Sequence, residues 1–229
     1  MPLTLYSNHS AKIRKGLAIG LFFLFLPALQ AALPNVEKLL QLAQARYGPS
    51  AVQAVNQWRE TVNKAKNLPE SAQLSQINDF FNHRIVFVDD IEAWGKADYW
   101  ATPLESLGRG RGDCEDFAIA KYVSLRILGV PLDKLRLTYV RAQLGGGSQA
   151  HMVLAYYPSP KAEPLILDNL VGDILPASRR GDLFPVFSFN SEGLWVGSGP
   201  SEKASGSATA RLSRWRDLIA RMQAEGVEL

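Results

Sequence analysis

The chain of 229 residues, 47% of them hydrophobic, can bury one substantial core and is too short for two ordinary enzymatic domains once a targeting segment is set aside. Its formal charge of +3 is local: beyond Lys12, Arg14 and Lys15 the chain carries 22 basic against 22 acidic residues. Without a run of Lys and Arg interleaved with aromatics, nucleic-acid binding is disfavoured. Arg109, Arg111, the pair Arg179-Arg180 and the series Arg211, Arg214, Arg216, Arg221 read as solvated loops or helix faces.

In chain order, the basic residues Lys12 to Lys15 precede an apolar run, Gly16 to Leu29, that ends in small residues, the pattern of a secretory signal. The expected organisation is a signal peptide at 1–31, one catalytic domain at 32–196, and a flexible linker with a C-terminal helix at 197–229. Leu29 sits where signal cleavage prefers a small residue, so a membrane-tethered form is the alternative. The domain divides into a helical part, about 33–130, and a β-rich part, about 135–196. Apolar spacing predicts helices over Leu33 to Arg46, from a Ser50 cap through Val52, Val55, Trp58 and Val62, and around Leu74, Ile77, Phe80 and Phe81. A β-rich run, Ile85 to Val88, and an aromatic loop, Trp94 to Trp100, come next.

Thr102 and Glu105 fit a capping box with Pro103 at the first helical position. The glycines 108, 110 and 112 break that helix, and Asp113 opens a longer one closed by Gly129 and Pro131. The period then changes. Strands are expected over Leu135 to Ala142 and His151 to Tyr157, joined by a glycine hairpin at 145–148, then at Leu165 to Leu167, Val186 to Phe189 and Leu194 to Val196. Helices first and an antiparallel meander second make an α+β domain.

Cys114 is the only cysteine, and an exported chain normally pairs its thiols, so this one is an inert residue, an intermolecular bridge or a nucleophile. A helix start favours the last, because its partial positive charge and free N–H groups support both a thiolate and an oxyanion. Two histidines remain outside the signal as candidate bases. His151 opens a strand after the hairpin, whereas His83 stands at a surface junction between helix and strand. The imidazole needs an orienting group. Asp168, at the end of the following strand, is the first choice, with Asn169 and Asp173 as fallbacks.

The run Arg111-Gly112-Asp113-Cys114-Glu115-Asp116-Phe117-Ala118, followed in order by His151 and Asp168, resembles the bacterial transglutaminase-like cysteine proteinases, and within them the LapG-type periplasmic proteases. The resemblance implies a papain-like, transglutaminase-like cysteine protease fold, with Cys114 as nucleophile, His151 as general base and acid, and Asp168 as orienter. It further implies a periplasmic endopeptidase that cuts the N-terminal region of a large cell-surface adhesin, releases it and disperses biofilm. An inner-membrane cyclic di-GMP receptor would sequester such an enzyme.

Asp113, Glu115 and Asp116 oppose ionisation of the thiol between them. A hard cation would remove that conflict, and a cluster of oxygens with few histidines suits Ca²⁺ better than Zn²⁺. The resemblance also implies calcium. The expected metal ligands are therefore Asp113, Glu115 and Asp116, with additional oxygens from the 89–99 loop. Acids also simply complement a helix N-terminus. The same triad could transfer an acyl group to an amine, as transglutaminases do, and a non-catalytic exported binding module is the third reading.

Overall fold

The computed structural model describes residue 1 and residues 34–196 and 212–229. The expected signal segment and the Gly/Ser-rich stretch after Val196 lie outside the described residues. Three helices come first: α1 (Val36–Tyr47), α2 (Pro49–Ala65) and α3 (Glu70–Arg84). The start of α1 is set by Asn35, whose side chain accepts from the Lys38 N–H at 3.0 Å. Ser50 is not the cap of α2. Gly48 takes that position at φ 83°, a conformation open to glycine, and Pro49 supplies the first helical residue.

Next come β1 (Val86–Phe87), α4 (Asp90–Trp94), α5 (Pro103–Arg109) and β2 (Arg111–Gly112). A helical turn, α4, thus precedes the expected aromatic loop and takes in only its first residue, Trp94. The Thr102/Glu105 capping box is present, with Glu105 N–H to Thr102 Oγ1 at 3.2 Å and Thr102 N–H to Glu105 Oε2 at 2.8 Å. The two-residue strands β1 and β2 pair in parallel, and Val88 N–H reaches Gly112 O at 3.0 Å. This small pairing lays the start of α4 beside the residues that enter α6 (Cys114–Ile127).

Every residue of α6 from Glu115 to Ile127 is buried, so this helix is the axis of the core. Phe117, Ile119, Tyr122, Val123 and Leu125 pack with Leu74, Ile77 and Phe81 of α3 on one side and with sheet residues on the other. The sheet comprises β3 (Leu135–Leu144), β4 (Gly147–Tyr156), β5 (Leu165–Leu167), β6 (Leu175–Pro176), β7 (Leu183–Phe189) and β8 (Leu194–Val196). Its order is β6-β5-β4-β3-β7-β8, antiparallel throughout. The β3–β4 hairpin runs further than the alternation suggested, pairing up to Leu144 with Gly147 across Gly145-Gly146. Leu135, Leu137, Met152, Leu154 and Leu167 face the main core, while Val140, Val153, Ala155 and Ile166 form a small second one.

The C-terminal helix α7 (Ser213–Glu225) returns to this core. Its Trp215 is fully buried, edge-on to Tyr122 at 5.7 Å and to Phe189 at 5.3 Å between centroids. Among the described residues no helix is long and apolar enough to cross a membrane. One buried polar pair offers a test of the packing: Trp58 Nε1 donates to Ser124 Oγ of α6 at 2.8 Å. Ser124→Ala strands that indole donor, and we expect unfolding in urea to show a loss of about 1–3 kcal/mol.

Candidate active site

Cys114 is the first residue of α6, with Asp113 in the N-cap position in extended conformation. Its sulfur meets the backbone N–H of Met152, the residue after His151, so the helix start abuts β4 at the point the sequence singled out. The thiol also donates to Glu115 Oε2 at 2.8 Å. Burial, the charges of Glu115 and Asp113 and this hydrogen bond all push the thiol far above its ordinary range, outweighing the Met152 N–H. Without a counter-charge the sulfur is held as a thiol.

His151 is buried on β4, and its Nε2 lies 2.8 Å from Asp168 Oδ1. Burial resists ionisation of Asp168. The hydrogen bond and charge of His151, the Arg180 guanidinium and the Leu170 N–H outweigh it and hold the carboxyl down to about 2. An ionised Asp168 only accepts, so Nε2 carries the hydrogen, and Nδ1 of the neutral ring is left as the basic nitrogen. Asp168, rather than Asn169 or Asp173, is the carboxylate at His151. His83 is exposed, with Nδ1 at 2.7 Å from Asp79 O one turn earlier in α3.

The acids around Cys114 form two overlapping clusters. Oxygens of Asp113 and Glu115 lie within 4.8 Å of each other and of the sulfur, and oxygens of Asp90, Asp113 and Asp116 lie within 4.8 Å of one another. Asp116 is fully buried and already engaged, accepting from Ala101 N–H at 2.7 Å and from Trp94 Nε1 at 3.2 Å. A Cβ at Gly112 would run into this carboxylate, which is why glycine precedes Asp113. Burial and the charges of Glu115 and Asp116 push Asp113 up to about 10. Asp90 and Asp116 are raised as well, chiefly by burial.

Asp90 Oδ1 and Asp113 Oδ1 are buried without a hydrogen-bond partner. Close carboxylates with orphaned oxygens fit a hard divalent cation that takes six to eight oxygen ligands, and calcium meets that description. The sequence pointed to the 89–99 loop without naming Asp90, and nothing in the pattern of that stretch singled it out. It missed Arg180 outright. Read as solvated, Arg180 is only 3% exposed and donates through Nη2 to Asp168 Oδ2 at 2.7 Å. The buried ion pair corrects the sequence reading, because a guanidinium beside an inward-facing carboxylate can leave solvent where an unpaired one cannot.

A thiol at a helix start, an imidazole–carboxylate pair on the adjoining strand and an α+β scaffold define a cysteine-dependent enzyme of the papain and transglutaminase type. The model of the bacterial transglutaminase-like cysteine proteinases matches residues 48–196, and the chain belongs to that family. LapG of Legionella pneumophila, in its EGTA-treated structure, is 44% identical and superposes with a TM-score of 0.72 over 83% of this chain and 98% of that one. The calcium-bound structure of the same protein is 43% identical, with a TM-score of 0.69 over 82% and 98%. Comparison with curated proteins finds no match.

Proposed function

We propose that this cysteine proteinase is a calcium-dependent periplasmic endopeptidase in which Cys114 attacks the scissile carbonyl, His151 moves the proton and Asp168 orients His151. The substrate would be the N-terminal region of a large cell-surface adhesin, whose release disperses biofilm, and the inhibitory partner an inner-membrane cyclic di-GMP receptor. The observation that carries the reading is the juxtaposition of one thiol at the start of α6 with the His151–Asp168 pair. Identity of 44% to LapG, which is known in EGTA-treated and calcium-bound structures, supports the calcium assignment.

His151 Nδ1 takes the Cys114 proton as the sulfur bonds to the substrate carbonyl carbon, and the carbonyl oxygen becomes an oxyanion that the N–H groups at the start of α6 can receive. Imidazolium then protonates the leaving amine, and a thioester on Cys114 remains. Water, deprotonated by Nδ1, attacks the thioester and releases the new carboxylate and the thiol. Asp168 keeps Nδ1 directed at the reacting atoms and stabilises the imidazolium at each stage. Asp90, Asp113, Glu115 and Asp116 would hold the calcium ion, which supplies positive charge that relieves the carboxylates around Cys114.

The test is incubation of the purified protein with an adhesin N-terminal fragment, with calcium and with excess EGTA, read by mass spectrometry. Two fragments that gain one water between them, formed only with calcium, are the expected result. A cross-linked or amine-adducted product would replace hydrolysis with acyl transfer. Full cleavage after thorough chelation would remove calcium from the reading and leave the Cys–His–Asp chemistry standing.

A further inference from the structure

We infer that Arg180 is a positioning residue of the catalytic machinery: by binding the outer oxygen of Asp168 it fixes the carboxylate that sets the tautomer and orientation of His151. The inference rests on the triad reading above and adds to it a residue that never touches substrate. Both oxygens of Asp168 are engaged. Oδ1 takes His151 Nε2 at 2.8 Å and the Leu170 N–H at 3.1 Å, while Oδ2 takes Arg180 Nη2 at 2.7 Å. Without Arg180 the carboxylate could rotate about its χ2 torsion, which is broad for Asp, and swing the oxygen away from Nε2.

Arg180 is itself held. Its Nε and Nη2 grip both oxygens of Asp182 at 3.0 and 2.8 Å, and the Asp182 carbonyl accepts from Gln143 N–H of β3 at 2.7 Å. Leu183 N–H, at the start of β7, bonds to Arg180 O at 3.0 Å. The guanidinium therefore ties Asp168 to the turn at the start of β7, which is itself hydrogen-bonded to β3. Lys121 of α6 also feels the Asp168 charge, but its Nζ makes no hydrogen bond, so it cannot set a direction.

Energetics argue the same way. A buried ion network gives less stability than well-packed apolar side chains of equal volume, so stability alone is a poor reason for an arginine that is 3% exposed. Orientation is a better one. A planar fork that holds Asp182 bidentately while reaching Asp168 fixes angles as well as charge, which lysine cannot do.

Arg180→Met and Arg180→Lys in the full chain are the test, with cleavage of the adhesin fragment in calcium as one readout. The expected result is kcat reduced by about 10–100-fold in Arg180→Met, with KM within about 2-fold, as for loss of alignment rather than of substrate contacts. Arg180→Lys should recover only part of that. The second readout needs no substrate: ¹⁵N chemical shifts of His151 in a Cys114→Ala, His9→Gln, His83→Gln background at mildly alkaline pH. Arg180 in place should give one Nε2–H tautomer, and Arg180→Met a mixture. Unchanged kcat together with a single tautomer in Arg180→Met would overturn the inference.

If Arg180→Met does not fold, Asp182→Asn decides, since Asp182 is partly exposed and its loss loosens the guanidinium while keeping the charge. A fall in kcat of about 3–10-fold with a broadened His151 tautomer population supports positioning, and no change in either refutes it. Failure of the triad reading looks different: a Cys114→Ala protein that cleaves as well as the parent.

Discussion

Cys114→Ala is expected to abolish the proteinase activity, a loss of at least about 10⁴-fold in kcat on the proposed adhesin fragment, with the fold and substrate binding intact. The size follows from the chemistry, because no other thiol exists in the chain and the thioester has no second site at which to form. Cys114 is partly buried at a helix start, and its shortening removes a contact with Glu115 that opposes thiolate formation, so the variant should not unfold. Cys114→Ser is expected to be nearly as inactive, since a serine hydroxyl is far harder to ionise than a thiol in a site rich in carboxylates. The check is a single-turnover assay with equal melting temperatures for parent and variants. Residual cleavage above about 1% in Cys114→Ala would sink the nucleophile assignment and the mechanism with it.

What the sequence made legible was local. The Thr102/Glu105 box and the Asp113 to Asp116 run state their geometry within four residues, because helix starts are built from consecutive N–H groups. His151 and Asp168 became legible once two neighbouring antiparallel strands were expected, for the pairing of Leu154 with Leu167 brings their ends together. Asp90 was not so accessible. It reaches Asp113 through β1 and β2, two residues each, too short to produce a periodic signal. Arg180 was misread for a different reason: an Arg-Arg pair looks like solvated surface, and only the tertiary placement of Asp168 and Asp182 gives one of the two a buried partner.

Asp113→Asn stabilises the calcium-free protein and removes its response to calcium. In the absence of a cation, Asp90, Asp113 and Asp116 crowd three carboxyl oxygens within 4.8 Å, and burial with the Glu115 and Asp116 charges raises Asp113 to about 10. An amide keeps the shape and spares the folded state the proton that Asp113 must otherwise take up. With calcium at about 100 times its dissociation constant, the parent should gain about 2.7 kcal/mol, which in a chain of this size is a rise of about 5–10 °C in melting temperature. Asp113→Asn should show less than a quarter of that rise and start from a higher calcium-free value. The pH dependence has a definite sign: between an unfolded carboxyl pKa of about 4 and the folded value, the folded state binds the extra proton. Calcium-free parent protein is thus more stable at pH 6 than at pH 8, losing stability as pH rises toward 10. Asp90 and Asp116 act in the same direction, while Asp168, lowered to about 2, contributes only below about pH 4 and leaves this window flat. Calcium should flatten the slope, because the cation takes over the neutralisation that the proton performs without it. Differential scanning calorimetry over pH 6–8, with and without EGTA, reads all of this. A calcium-free protein that gains stability with rising pH, or an Asp113→Asn variant that calcium stabilises as much as the parent, would show that these carboxylates are not the ligands and that the thiol is activated by other means.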